Sequence, residues 1–296
     1  MSEMMVDIYR SHAAPLDHDM LVTWHRMITS GRTDVRDVGR YRTHPEPMRI
    51  VSGRIDEAKV HFEAPPSDRV HAEMMEYIKW FHRTAPAGSA PLGALTRAGI
   101  AHLYFQSIHP FEDGNGRIGR AVAEKVFAQS VGRPSFTAIA ATMLARRTEY
   151  YAALAATNKR NDITEWLVWF AGAALEAQTR TLHQGEFLID KTKFLDRLSG
   201  MINARQQLAL VRMLREGPGG FEGGMSAGKY VVITKTSVAT ATRDLGELVE
   251  VGAVRRTGSN RSARYHLTIP LRPDLRVTID QTGEIVESSV ARNGGR

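Results

Sequence analysis

The sequence contains no cysteine, which excludes disulfides, thiolate metal sites and cysteine nucleophiles together. It has no run of eighteen apolar residues, and its opening, MSEMMVDIYR, lacks the apolar stretch of a signal peptide. A cytoplasmic protein without membrane contact is therefore expected. Internal repeats and low-complexity blocks are missing as well. What is present, 296 residues with 43% hydrophobic and 24% charged side chains, is the balance of an ordinary globular chain with room for one to three domains.

The net charge of +7 is unevenly spread. Residues 1–200 hold 25 Lys and Arg against 23 Asp and Glu, whereas residues 201–296 hold 14 against 9. Excess positive charge in one segment points to an anionic partner for that segment or to a basic, solvated surface.

Helical periodicity dominates the first two thirds. Leu92, Leu95, Ile100, Leu103 and Ile108 share one broad face, and Ile118, Val122 and Val126 step by four along a helix from about Gly116 to Ser130. Gly132 and Pro134 then punctuate the chain. Further helices are expected over Leu21–Thr29, Ala72–Thr84 and Ala141–Thr157, and from Ile163 onward through Trp166, Phe170 and Leu175. Between them, Met48–Gly53 and Lys59–Phe62 read as the two arms of a small β-hairpin. After Gly200 the pattern changes. Helices over Asn203–Arg215, Lys229–Ile233 and Val238–Val249 precede two β-prone segments, 253–256 and 264–267, around the polar tip TGSNRSA. That order is the order of a winged helix-turn-helix. The domain expectation is a catalytic unit over 1–185, a helical linker over 186–200, the winged helix over 201–269 and a loosely held tail over 270–296.

Residues 109–120 read His-Pro-Phe-Glu-Asp-Gly-Asn-Gly-Arg-Ile-Gly-Arg. Glycines on either side of Asn115, just ahead of a helix, let backbone amides turn toward an anion at the positive helix end. Arg117 and Arg120 are three apart, on one helical face, within reach of the same polyphosphate. Asp113 is a hard oxygen ligand suited to Mg²⁺. His109 is the one group of the stretch whose free pKa is near neutrality, the natural general base. Each residue alone has a bland reading as a turn or a solvated charge. Together, within twelve residues, they describe phosphoryl or nucleotidyl transfer.

This segment resembles the signature of the Fic (filamentation induced by cAMP) family, H-x-F-x-(D/E)-G-N-G-R-x-x-R, at every fixed position, and the resemblance extends over roughly residues 20–185. It implies a mainly α fold, a Fic-type helical core with a β-hairpin flap. It also implies a protein adenylyltransferase: His109 would deprotonate a Tyr, Thr or Ser hydroxyl of a target protein, which attacks the α-phosphate of ATP. Asp113 would hold Mg²⁺, Gly114, Asn115 and Gly116 would cradle phosphates with Arg117 beside them, and Arg120 would reach the γ-phosphate. Phe111 would anchor the loop. Gly116 accompanies AMP transfer, where the related phosphorylating Doc toxins carry Lys. The adenosine would lie against Tyr150, Tyr151 and Asn158, although a Tyr pair at that spacing equally suits helix packing. The flap, Ile50, Val51, Ser52 and Gly53 with Val60, His61 and Phe62, would bind the target by strand addition.

Many Fic proteins carry an inhibitory helix in which Ser or Thr is followed, four residues on, by Glu and then Gly or Asn. This sequence has no such pattern: Glu216-Gly217 and Glu222-Gly223 are its Glu-Gly pairs, and Arg212 and Pro218 stand four ahead. A truncated form with an unblocked Arg120 is expected, with inhibition by a separate antitoxin chain as the alternative.

Two decoys fall away. Gly223–Lys229 is one residue short of a P-loop and Tyr230 replaces its Ser or Thr. His102 and His109 lack the further ligands of a zinc site. In the C-terminal module Lys235, Thr236, Ser237, Thr240 and Arg243 would face a DNA groove, and Arg255, Arg256, Arg261 and Arg264 would touch phosphates. Protein contacts or a homodimer are the alternative, since Asp244, Glu247 and Glu250 dilute the basic face. The rival to the enzyme is a DNA-binding regulator whose Fic-type core senses nucleotide.

Overall fold

The computed structural model describes residues 2–52, 59–135, 137–157 and 162–290. It is mainly helical and separates into two compact units, one built from residues up to Gln178 together with Val277–Ser288, the other from Thr179–Arg276. Among the described residues no helix is long and apolar enough to cross a membrane.

The first unit holds α1 (Ser2–Arg10), α2 (His18–Thr29), α3 (Val70–Arg83), α4 (Ala94–Ile108), α5 (Asn115–Val131), α6 (Ile139–Ala145), α7 (Arg147–Thr157) and the first part of α8 (Thr164–Arg197). Asp17 caps α2, its carboxylate accepting from the Met20 amide at 2.8 Å, so one otherwise orphaned donor of the first turn is satisfied. Leu21, Trp24 and Ile28 then fall on one buried face. Small residues let α4 and α5 approach closely: a Cβ on Gly119 would lie 2.5 Å from Gln106 Nε2. The pair is therefore fixed at a separation that sets the loop between them, residues 109–114. Trp24, fully buried, ties α2 to α1 through its indole N–H, which donates to Asp7 at 2.8 Å; truncation to Ala would cost about 3–5 kcal/mol.

The hairpin expected around Gly53 is present as β1 (Arg49–Ser52) and β2 (Lys59–Glu63). Arg49 pairs with Glu63, Ile50 with Phe62, Val51 with Val60 and Ser52 with Lys59, the register slipping between Ile50 and Val51. Gly53 itself lies outside the described residues.

Three elements differ from expectation. Ala141–Thr157 is two helices, because Arg146 leaves helical geometry (φ −102°, ψ 28°) while its guanidinium bonds Glu149 and, 2.9 Å away, Glu176. Those ties join residues distant in sequence, so no local period carries them. The stretch expected as a helical linker over 186–200 is helical, as the last part of α8, to Arg197. In the segment expected as a loose tail, β5 (Leu275–Ile279) and β6 (Ile285–Val290) form a two-stranded sheet. Val277 N–H donates to Glu176 Oε1 at 2.6 Å, and Asp280 Oδ1 accepts from the Thr282 and Glu284 amides to close the turn. Helix α1 was not anticipated either; Lys125 Nζ donates to the Ser11 carbonyl just past its end at 2.7 Å.

The second unit contains α9 (Ala204–Leu214), α10 (Ala227–Thr234), α11 (Val238–Glu250) and the antiparallel pair β3 (Val254–Thr257) and β4 (Arg264–Leu267). Asn203 and Gln206 form a capping box on α9; Ser226 and Ser237 cap α10 and α11. Leu210, Met213, Tyr230, Leu245, Leu248, Val254 and Leu267 make its core.

Candidate active site

The site is built on the α4–α5 loop. His109 ends α4 in the left-handed region (φ 50°, ψ 57°), an uncommon conformation for a residue with a Cβ. Its amide donates to the Phe105 carbonyl at 3.0 Å, and its own carbonyl accepts from Arg42 Nε at 2.9 Å. Asn115 stitches the loop: its Oδ1 accepts from Phe111 N–H at 2.9 Å and its Nδ2 donates to the Phe111 carbonyl at 2.7 Å. The Asn115 side chain is thus consumed by structure, and what it leaves for an anion is its backbone. Gln106 Nε2 donates to the Asn115 carbonyl at 2.9 Å. Phe111 is fully buried and stacks on His25, ring centroids 4.2 Å apart.

Gly114 opens α5 at φ 84°, where a Cβ would also meet Ile28 Cδ1 at 2.6 Å; no other residue fits both constraints. The amides of Asn115 and Gly116 begin the helix and have no carbonyl a turn earlier within it. Arg117 and Ile118 donate to the Gly114 carbonyl.

Burial pushes the His109 imidazole down to about 4, and the nearby Arg42 cation adds to the effect, against the opposing Gln106 bond and Asp113 charge. The ring is neutral at pH 7. Its Nδ1 faces the Gln106 carbonyl at 3.3 Å; a carbonyl only accepts, so Nδ1 carries the proton and Nε2 keeps a lone pair. Burial alone would raise the Asp113 carboxyl, but the Gly114 N–H, Arg32 and Arg117 outweigh it and hold Asp113 ionised. Oδ1 accepts from Gly114 N–H at 2.6 Å, and Oδ2 accepts from Arg117 at 3.2 Å and from Arg32. Burial lowers Arg120, which nevertheless stays a cation. Among the described residues Arg120 makes no hydrogen bond and no ion pair; its Nη1 lies 3.4 Å from where a Cβ on Gly116 would be.

The donor set suits Mg²⁺. Asp113 offers one half-exposed, ionised carboxylate beside a helix N-terminus, and among the described residues no group of three or more His, Asp or Glu could hold a metal. A cation that takes one or two carboxylates and completes its shell with phosphate and water matches that description. The groups now on Asp113 Oδ2 are the guanidinium groups of Arg32 and Arg117, which a cation would have to displace or share.

Of the tyrosine pair, Tyr150 is interior: its hydroxyl bonds His102 Nε2 at 3.0 Å and its ring packs on Trp166 and Trp169. Tyr151 is exposed, so of the two only it presents a face to a base. Asn158 lies outside the described residues. Ile50, Val51, Ser52 and Val60 are placed in the hairpin strands by backbone pairing, half-buried Phe62 pairs with Ile50, and His61 lies in β2 at the slip in the register.

Four residues with no local sequence signal shape the site. His25 Nδ1 accepts from Gly39 N–H at 2.9 Å, so its Nε2–H donates to the Asp113 carbonyl at 3.2 Å. Arg32 reaches Asp113 from the loop after α2, Gln106 holds both His109 and Asn115, and Arg42 is described below. Three of them come from segments more than sixty residues from the signature, and no spacing rule connects them to it.

In the second unit, described by itself, Lys235, Ser237, Arg243, Arg255, Arg256 and Arg261 are exposed, and Thr236, Thr240 and Arg264 half-buried. Asp244 is buried, accepting from Arg205 at 2.9 Å and Tyr230 at 2.9 Å. Glu247 accepts from Gln206 at 2.7 Å. Lys229 of the P-loop decoy donates back to the Glu222 and Gly224 carbonyls.

Residues 15–127 match the model of the Fic/DOC family. Protein adenylyltransferase fic-1 of Caenorhabditis elegans is 27% identical over 140 residues, which cover 47% of this chain and 24% of that protein. Its Caenorhabditis briggsae counterpart is 26% identical over 140 residues, with the same shares covered. The match spans about a quarter of the length of these curated relatives. Among solved structures, a Fic family protein from Desulfovibrio desulfuricans superposes at a TM-score of 0.50 and 24% identity, over 90% of this chain and 74% of that one. That likeness speaks to the fold alone.

Proposed function

We propose that the chain, whose residues 15–127 form a Fic/DOC family domain, transfers AMP from ATP to a hydroxyl of a target protein. The observation that carries this reading is the juxtaposition of a neutral His109 with a free Nε2 lone pair and the start of α5, with an ionised Asp113 just ahead of the helix and, in its second turn, a cationic Arg120 that has no anionic partner among the described residues. His109 Nε2 takes the proton of the attacking Tyr, Thr or Ser hydroxyl, whose oxygen bonds the α-phosphorus of ATP as the α–β phosphoanhydride bond breaks and pyrophosphate leaves. The Asn115 and Gly116 amides, Arg117 and Arg120 bind and orient the triphosphate, and Arg120 is the one that meets its far end. Asp113 would hold Mg²⁺, which when bound neutralises phosphate charge during transfer. Tyr151 offers a surface to the adenine. The hairpin β1–β2, a two-stranded sheet among the described residues, offers its strand edges to an extended target segment. No carboxylate restrains Arg120 among the described residues, so the chain is proposed to act without prior release of an inhibitory glutamate.

The test is incubation with ATP labelled at the α-phosphate and Mg²⁺, followed by intact mass of the chain and of a lysate fraction, beside His109→Ala. Label in the wild type that is absent from the variant supports the reading; no label in either, with ATP still bound, overturns it.

A second reading concerns the second unit, taken as a winged helix that binds duplex DNA. The specific observation in its favour is that Asp244, one of the three acids that on sequence alone dilute the basic face of α11, is buried against Arg205 and Tyr230, while Lys235, Arg255, Arg256 and Arg261 stay exposed; Glu247 and Glu250 stay exposed too, Glu247 lying 3.9 Å from Arg243. Anisotropy with a labelled random duplex at two salt concentrations tests it, since phosphate contacts make affinity fall steeply with salt.

A further inference from the structure

Arg42 is 2% exposed and its guanidinium is solvated by uncharged oxygens. Nε donates to the His109 carbonyl at 2.9 Å, Nη1 to Ser67 Oγ at 2.8 Å, and Nη2 to the Pro65 carbonyl and, at 3.4 Å, to the Ile108 carbonyl. Its backbone N–H donates to the Pro110 carbonyl at 2.9 Å. The rigid planar fork of an Arg can hold several acceptors in fixed directions at once, which a Lys cannot.

Those acceptors belong to two segments. One is the end of α4, at 108–110. The other, 65–67, is the returning root of the hairpin, whose outgoing root at His44 lies two residues after Arg42 itself. Ser67 closes the circuit: its hydroxyl accepts from Arg42 and donates to the His44 carbonyl at 2.6 Å. Both roots of β1–β2 are thus bonded, through one guanidinium, to the backbone of His109, a residue already held at φ 50°. A simple cap on the end of α4 needs only the Ile108 and His109 carbonyls. The bonds to Ser67 and Pro65 are what that role leaves unexplained.

We propose that Arg42 is a positioning residue that registers the target-docking hairpin against His109, so that a segment added to the hairpin presents its hydroxyl at Nε2. The proposal rests on the reading of β1–β2 as the docking edge and His109 as the base. Ser67 is the member of the link that touches the hairpin roots and not His109.

Ser67→Ala and Arg42→Gln in the full chain separate the two halves of the link. Three quantities are measured: amide exchange of the β1 and β2 strands, the imidazole titration of His109 by NMR, and ATP affinity by calorimetry. Ser67→Ala is expected to speed exchange in the hairpin strands about fivefold, the loss of roughly one hydrogen bond, with the His109 titration and ATP affinity unchanged. Arg42→Gln is expected to speed that exchange further and to move the His109 midpoint upward from about 4, because a cation is removed. Unchanged hairpin exchange in Ser67→Ala overturns the link, as does a uniform acceleration that includes α4 and α5, which would mark ordinary destabilisation. If Arg42→Gln fails to fold, Ser67→Ala decides alone. None of these readouts requires transfer of AMP, so the enzyme reading and the link can fail separately: label transfer with an uncoupled hairpin removes the link and keeps the enzyme.

Discussion

The two units treat their cations in opposite ways, and the contrast explains what each is suited to bind. In the first, Arg42, Arg97 and Lys125 are buried and donate to backbone carbonyls and polar side chains, while Arg120 is half-buried and makes no ion pair among the described residues. Arg97 and Lys125 sit toward the far end of α5, against Gln129 and Ser11, whereas Arg42 at His109 and Arg120 near the helix start hold positive charge in place beside the α5 N-terminus when a polyphosphate arrives. In the second, the buried Asp244 carboxylate is shared by Arg205 and Tyr230, and Lys235, Arg255, Arg256 and Arg261 stand on the surface. Exposed, mobile cations follow a polymer backbone and are screened by salt; enclosed ones select a compact anion.

The contrast breaks most visibly at His109. His109→Ala should lower AMP transfer by about 100- to 10,000-fold, the range for loss of a general base, with ATP affinity by calorimetry retained. Arg120→Ala should follow: a charge-assisted hydrogen bond of about 1.5–3 kcal/mol corresponds to ATP binding weakened roughly 10- to 100-fold, with His109 titration unchanged. Equal ATP affinity in that variant would show that the unpaired guanidinium is not a phosphate ligand. In the second unit, Tyr230→Phe removes a hydrogen bond to the buried Asp244 carboxylate, and urea unfolding should report a loss of about 1.5–3 kcal/mol.

Protons sharpen the comparison within the first unit. His109 and His102 both sit near 4 when folded, chiefly because they are buried, against 6.5 in a free chain. Between those values the unfolded chain binds more protons, so their contribution is complete above pH 6.5 and declines as pH falls toward 4. Glu124 runs the other way. Burial raises it to about 8 from 4.5, so its contribution is complete below pH 4.5 and is lost as pH rises through 8. Urea midpoints measured across pH should therefore fall on both sides, and Glu124→Gln should abolish the alkaline fall alone. Transfer activity should keep its acid limb below 6.5, since the base is neutral there.

The smallest effects belong to the surface. Replacing Arg255 and Arg256 together by Ala should weaken DNA binding uniformly across sequences and reduce the salt slope by about 0.9 for each phosphate no longer neutralised.

The twelve signature residues were legible because backbone demands concentrate there: a left-handed glycine, a helix start and paired arginines occupy fixed sequence offsets. The hairpin and the helices of both units were legible through periodicity and turn residues. Arg146 was not, because it breaks a periodic helix to reach Glu176, thirty residues away. Strands β5 and β6 were not, because Glu176 supplies the bond that seats Val277. Tyr150 and Tyr151 looked alike in sequence; packing against Trp166 and a bond to His102 turned one inward.

Sequence alone determined the identity and spacing of the groups proposed to meet a phosphate, since those are carried on one loop and the start of one helix, whose geometry is local. Tertiary structure decided the protonation and reach of those groups. The tautomer of His109, the ionisation of Asp113, the freedom of Arg120 and the tie from Arg42 to the hairpin all depend on burial and on partners brought from tens of residues away. Electrostatic energies in a folded chain follow distance and solvent exclusion, and neither is a function of position along the sequence.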